Sequence, residues 1–202
     1  MKIRPAHPQD TGPIPELIYS SGTELYDYIF QTKDHTAIEF INYEFHSGQG
    51  FCGHKNVTVA VNESNTVYGT GCFYDGHEYN KLIMGTLKNV FRFYPILQVL
   101  SVLRRMMHTS SVMPPPGKNE LYLANFGVSP EARGQGIGSL MINHQRDMAE
   151  QKGYKIFSLD VADNNPRAEA LYRRLGYQQV AEKTFTIANA GIPNAKKMEI
   201  HF

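Results

Sequence analysis

The chain carries no excess of either charge: 20 lysines and arginines stand against 19 aspartates and glutamates among 202 residues. Such a balance gives no global field to draw the protein to nucleic acid. Cysteine is scarce. Cys52 and Cys72 lack the number and spacing of a disulfide framework or a metal cage, so both are expected to be buried or incidental thiols. Neither a metal cluster nor a nucleophilic triad stands out. No apolar run reaches the ~20 residues that span a bilayer. Met1-Lys-Ile-Arg-Pro5 does not have the pattern of an export signal, so a cytoplasmic protein is the default expectation. The length suits one domain, 1–202, with a substantial core.

What the chain does have is a glycine-rich corner, Arg133-Gly134-Gln135-Gly136-Ile137-Gly138, fed by a strand-like run, Leu121–Val128. A helix with apolar positions at Ile137, Leu140, Met141, His144 and Met148 is expected to follow. Strand, glycine turn and helix together make a site for phosphate. The first turn of a helix has unpaired N–H groups and a partial positive charge. Glycines let the backbone approach an anion without Cβ atoms in the way. Three patterns compete for the corner. A triphosphate loop needs Lys then Ser or Thr at the helix start, but Ser139-Leu140 follows Gly138. A dinucleotide fingerprint needs a third glycine where Ser139 stands. The third pattern, Arg/Gln-x-x-Gly-x-Gly/Ala, is met by Arg133, Gly136 and Gly138.

That third pattern resembles the pyrophosphate loop of the GNAT family of acyl-CoA-dependent N-acyltransferases. Ser129-Pro130-Glu131-Ala132 precedes it as in the family's Val-x-Pro-Glu-x-Arg run. Downstream, Asn165-Pro166-Arg-Ala168-Glu-Ala-Leu171-Tyr172-Arg-Arg-Leu-Gly176-Tyr177 resembles the family's second motif, Asn-x-x-Ala-x-x-Leu-Tyr-x-x-x-Gly-Phe/Tyr. The resemblance covers mainly residues 120–180.

The remaining elements agree with it. A strand is expected at Lys2–Ala6, then a helix through Ile14, Leu17 and Ile18 capped by Asp10 or Thr11, and another at Ile38–Phe45 capped by Asp34 and ended by Gly48. Val57–Val61 and Val67–Tyr74 flank a turn at Asn62–Asn65. Strands at Ile156–Val161, Tyr177–Ile187 and Lys196–Phe202 complete a mixed α/β domain. The resemblance implies a mostly antiparallel central sheet of about seven strands flanked by helices. Residues 75–118 form a helical insertion between the third and fourth strands, with helices at Lys81–Phe91 and Ile96–His108 broken at Pro95. Its apolar stripe, beside Lys88, Arg92, Arg104 and Arg105, fits a helical pair packed on the domain, a membrane-surface helix, a lid over the acceptor site or the contact of a homodimer.

The resemblance implies transfer of an acetyl group from acetyl-CoA to a primary amine of a small molecule or peptide, by direct attack in a ternary complex. The pyrophosphate would meet main-chain N–H groups from Gly134 through Gln135, Gly136, Ile137 and Gly138 to Ser139, with Arg133 adding charge. Pantetheine would lie beside Phe126, Gly127 and Val128, where Gly127 suits a bulge. Asn165 would cap its helix and touch the cofactor. Tyr172 would donate a proton to the departing thiolate. Glu120, opening the fourth strand, is the leading candidate for the base, on the expectation that partial burial raises its pKa. Asn125, Asp75, His77 and Glu78 are weaker alternatives. The acceptor would contact Ser21–Tyr28 and the insertion. No metal is called for. The rival is a non-catalytic acyl-CoA-binding or sensing module.

Overall fold

A computed structural model describes residues 1–10, 13–186 and 191–202. In chain order the elements are β1 (Lys2–Pro5), α1 (Ile14–Ser20), α2 (Thr23–Phe30), α3 (Ala37–Ser47), β2 (Val57–Val61), β3 (Val67–Tyr74), α4 (Gly76–Phe93), α5 (Ile96–Val112), β4 (Glu120–Val128), α6 (Ile137–Gln151), β5 (Ile156–Ala162), α7 (Pro166–Arg174), β6 (Gln178–Lys183) and β7 (Ala195–His201). The strands form one seven-stranded sheet in the order β1-β2-β3-β4-β5-β7-β6. Every neighbouring pair is antiparallel except β4–β5.

That parallel pair shapes the molecule. Glu120–Leu123 of β4 is in register with Ile156–Leu159 of β5, and there the pairing stops. Beyond it β4 continues against β3, and β5 against β7. The strands therefore splay, and the β5-facing main chain of residues 124–128 has no strand partner. On one side of the splay, Leu121, Leu123, Phe157, Leu159 and Met198 bury themselves against α6 and α7 through Ile142, Ala149 and Tyr172. The larger core packs α1, α2, α3 and the inner faces of α4 and α5 around Phe40, Ile41 and Phe45.

Several local expectations give way to tertiary contacts. Asp10 does not cap α1, whose N-cap is Pro13. Its carboxylate instead pairs with Arg4 at 2.6 Å, and Thr11 lies outside the described residues. Thr36 rather than Asp34 caps α3, in a reciprocal capping box with Glu39, while Asp34 accepts a hydrogen bond from Gln98 on α5. The buried stripe of α6 runs through Ile137, Met141, Ile142 and Ala149, leaving Leu140 43% and Met148 37% exposed and His144 exposed as well. The sheet lies about one helical position round from the face that Leu140, His144 and Met148 share. β6 ends at Lys183, and of its expected extent Ile187 falls outside the described residues.

α4 and α5 are longer than expected, starting at Gly76 and ending at Val112. Their stripe is divided. Leu82, Val90, Val99, Val102 and Met106 face inward, whereas Phe91, Ile96, Leu97 and Leu100 remain exposed. Among the described residues, no helix is long and apolar enough to cross a membrane.

Candidate active site

The corner between β4 and α6 presents a row of unpaired main-chain donors. Gly134 and Gly136 adopt φ of +82° and +81°, a left-handed backbone that glycine reaches without steric cost. A Cβ at either position would meet nothing within 4 Å, so the glycines answer to backbone conformation and leave the outer surface open. Gly136 is the N-cap of α6, and no side chain caps it. Among the described residues no acceptor takes the N–H groups of Gly134, Gly136, Ile137, Gly138 or Ser139. Gln135 is different: its N–H donates to Ala132 O at 3.4 Å and its side-chain amide to Glu131 O at 2.9 Å. The Arg133 side chain donates through Nε to Val128 O at 3.2 Å, holding the guanidinium at the mouth of the corner.

The bulge in β4 falls at Asn125 rather than Gly127. Cys72 faces Ala124 and Thr70 faces Gly127, so Asn125 and Phe126 together oppose Gly71. Asn125 takes φ +56°, accepts from the Tyr26 hydroxyl at 2.6 Å and donates to Phe51 O at 3.0 Å. Both ends of its amide are occupied, which makes it a tie between β4 and α2. Gly127 is required for another reason: a Cβ there would stand 2.5 Å from Leu17 O, so the glycine admits α1 against the strand.

A cavity of about 800 Å³ runs from this corner through the splay and into the helical half of the molecule. Phe126, Gly127, Val128, Arg133, Gly134, Gly136, Ile137, Gly138, Ser139, Asn165 and Tyr172 all line it. Asn165 caps α7, accepting from Ala168 N–H at 3.1 Å. Tyr172, in the last turn of α7, is 6% exposed. Its phenol pKa is raised above the ordinary value by burial alone, with no charge or hydrogen bond contributing. Ser21, Leu25, Tyr26 and Phe30 form part of the far wall, and Thr86, Met106 and Thr109 bring α4 and α5 into it.

Glu120 does not behave as expected. It is absent from the cavity wall. Desolvation pushes its pKa up, but bonds from Gly117 N–H, the Ser158 hydroxyl and Lys197 outweigh that and lower it. The distances are 2.9 Å, 2.5 Å and 2.9 Å respectively. The expectation of a raised pKa overlooked these three donors, two of them distant in sequence. A folded-state pKa below the unfolded one stabilises the fold above the ordinary carboxylate range and loses that contribution as pH falls through the lowered value. Thermal melts should therefore show Glu120→Gln with a lower Tm than the wild type at pH 7 and a shallower decline below about pH 4. Parallel acid limbs in the two proteins would contradict this. The weaker alternatives Asp75, His77 and Glu78 are absent from the cavity wall too. Asp75 caps α4, with Glu78 completing the box, and accepts from Tyr154 at 2.9 Å.

Two carboxylates do line the cavity, Glu44 of α3 in its helical half and Asp160 on β5, just past the last β4–β5 pair. One oxygen of Asp160, Oδ2, accepts from the Tyr122 hydroxyl at 2.7 Å and from Lys183 at 2.6 Å. The other, Oδ1, is buried with no partner among the described residues. Leu159-Asp160-Val161 held the clue: an acidic residue in the middle of an otherwise buried strand is rare unless paired or used.

Mixed seven-stranded sheet, splayed parallel pair and glycine corner define an acyl-CoA N-acyltransferase fold. A model described as "Acetyltransferase (GNAT) family" matches residues 18–177, and the chain belongs to that family. Thialysine N-epsilon-acetyltransferase of Bos taurus is 46% identical over 66 residues, which is 33% of this chain and 38% of that enzyme. The ribosomal protein bS18 alanine N-acetyltransferase of Escherichia coli K12 is 34% identical over 61 residues, 30% of this chain and 41% of that enzyme. The chain thus spans well under half the length of these curated relatives. Among solved structures, an N-acetyltransferase from Staphylococcus aureus Mu50 superposes with a TM-score of 0.72 at 17% identity, over 99% of this chain and 100% of that one. At that identity the likeness concerns the fold.

Proposed function

We propose that residues 1–202 form one acetyltransferase domain, a cytoplasmic enzyme that transfers the acetyl group of acetyl-CoA to a primary amine by direct attack. The observation that carries this reading is that the open N–H corner, the buried Tyr172 and Asp160, whose Oδ1 has no partner among the described residues, belong to the wall of one continuous cavity at the splay of β4 and β5. In this reading the donors of Gly134, Gly136, Ile137, Gly138 and Ser139 hold the pyrophosphate, with Arg133 and Asn165 at its flanks. Gln135 contributes by holding the turn. The unpaired main chain of Phe126–Val128 receives the pantetheine arm as a further strand would. Asp160 Oδ1 accepts a proton from the acceptor's ammonium, in the role first expected of Glu120. The freed amine attacks the thioester carbonyl, the C–N bond forms and the C–S bond breaks. Tyr172 then supplies a proton to the departing sulfur, and the second proton that the nitrogen sheds as it becomes an amide restores the phenol.

Following thiol release with acetyl-CoA and a panel of peptides, polyamines, amino acids and aminoglycosides tests the reading. CoA binding without release across the whole panel would favour the sensing module instead. At the corner, Gly136→Val should weaken CoA binding at least tenfold, about 1.4 kcal/mol, by straining the left-handed turn and covering its donors. Calorimetry checks this, and unchanged affinity would remove the corner as the anchor. The open space around Gly136 means that no clash with the core interferes.

A further inference from the structure

The half of the cavity beyond the splay has aromatic walls, including Tyr26, Phe51, Tyr74, Tyr79 and Tyr122. Its lining cations, Arg133, Arg167 and Arg174, all belong to the corner or to α7. The inner walls contribute none, yet they contain a carboxylate. Glu44 of α3 lines the cavity and is 1% exposed. It accepts from Cys52 N–H at 3.0 Å and from Asn89 Nδ2 at 3.2 Å. Among the described residues no lysine, arginine or histidine forms an ion pair with it.

A carboxylate withdrawn from water without a counter-charge is costly, and a matching cation relieves that cost. The other groups facing Glu44 supply no positive charge. They are Thr86 and Asn89 of α4, the Cys52 thiol beside it, Tyr26 of α2, Cys72 of β3 and Tyr94. The surroundings are shaped to admit this carboxylate. A Cβ on Gly50 would collide with Glu44 Oε1, and a Cβ on Gly85 would collide with the Gly50 main chain. Burial raises the Glu44 pKa, the direction expected of an acid that lacks its counter-ion.

We propose that Glu44 binds a second cationic group of the acceptor, so that the preferred substrate is a diamine with an apolar or aromatic spacer, one amine reacting at Asp160 and the other held at Glu44. The proposal rests on the acetyltransferase reading and names its substrate class. The aromatic walls suit the spacer, since the faces of such rings also attract cations. Asp160 already has Lys183 beside it, so Glu44 is the carboxylate left for the second charge.

Two acceptors that differ by one aminomethyl group provide the test: 1,3-bis(aminomethyl)benzene and benzylamine. For the wild type, kcat/KM should favour the diamine at least tenfold. In Glu44→Gln that preference should vanish through a roughly tenfold rise in the diamine KM, with benzylamine kinetics unchanged as the control for folding. A preference that survives the substitution, or equal losses for both amines, overturns the proposal. Calorimetry of the wild type and of Glu44→Gln without acetyl-CoA reads the same contact as an affinity. The diamine should bind the wild type about tenfold more tightly than benzylamine and lose that advantage in Glu44→Gln. Equal affinities in the wild type, or an advantage kept in the variant, overturn the proposal. If neither amine is acetylated, the activity reading fails, and these affinities still decide whether Glu44 binds the cation.

Discussion

Tyr172→Phe should lower turnover by about two to four orders of magnitude, the usual contribution of a positioned acid, and leave acetyl-CoA affinity nearly intact. A thiolate leaves as the conjugate base of a group with a pKa of about 8.5, and a phenol of about 10 stays protonated at neutral pH and can donate to it. Burial of Tyr172 pushes its pKa higher still, which keeps the phenol protonated before the reaction begins. Deleting one hydroxyl from a side chain whose ring packs near Tyr177 changes little else. Stopped-flow thiol release and equilibrium CoA binding, measured on the same preparation, separate the two effects. Equal losses of both would mean that Tyr172 serves only to pack α7 against the sheet.

Asp160→Asn carries the second large effect. Turnover should again fall by about two to four orders of magnitude, because an amide cannot accept the ammonium proton. CoA binding should hold, since the corner lies on the other side of the splay. A structural cost comes with it. Lys183 is 11% exposed and Asp160 is its partner at 2.6 Å, so neutralising the acid leaves a cation short of its counter-charge. Assays must therefore run well below the variant's melting temperature. Lys183→Met serves as the comparison. It removes the same ion pair while keeping the carboxylate, and its turnover should stay well above that of Asp160→Asn. Turnover of Asp160→Asn within threefold of the wild type would remove Asp160 as the proton acceptor. Glu120→Gln, whose carboxylate lies outside the cavity, should keep near-normal rates.

How far the sequence reached differs from one part of the site to another. The glycine corner was legible because its ingredients are local. Gly134 and Gly136 need a positive φ, and the helix start that follows leaves its own donors unpaired. The same holds for Asn165 and Pro166 opening α7, and for Gly48 ending α3 at φ +70°. Capping near α1 and α3 was less secure, since Asp10 and Asp34 found partners on other elements. Burial and pairing of the acidic residues were not legible in the same way. Glu120 and Asp160 lie on adjacent strands, and a single acidic residue looks much the same in either. What separates them is register. Glu120 sits within the paired stretch, where Ser158 and Lys197 close on it, and Asp160 sits one step beyond, where the strands have parted.

By itself the sequence determined the family, the order of elements and the glycine turn that opens α6, because each rests on backbone preferences and spacings that operate over a few residues. Only the tertiary structure decided which carboxylates face the cavity. Asp160 meets Tyr122 across 38 positions and Lys183 across 23, and Glu44 meets Asn89 across 45. Charge, solvent and counter-ion at those sites depend on how far two strands separate and how closely α4 approaches α3, which no short stretch of chain encodes.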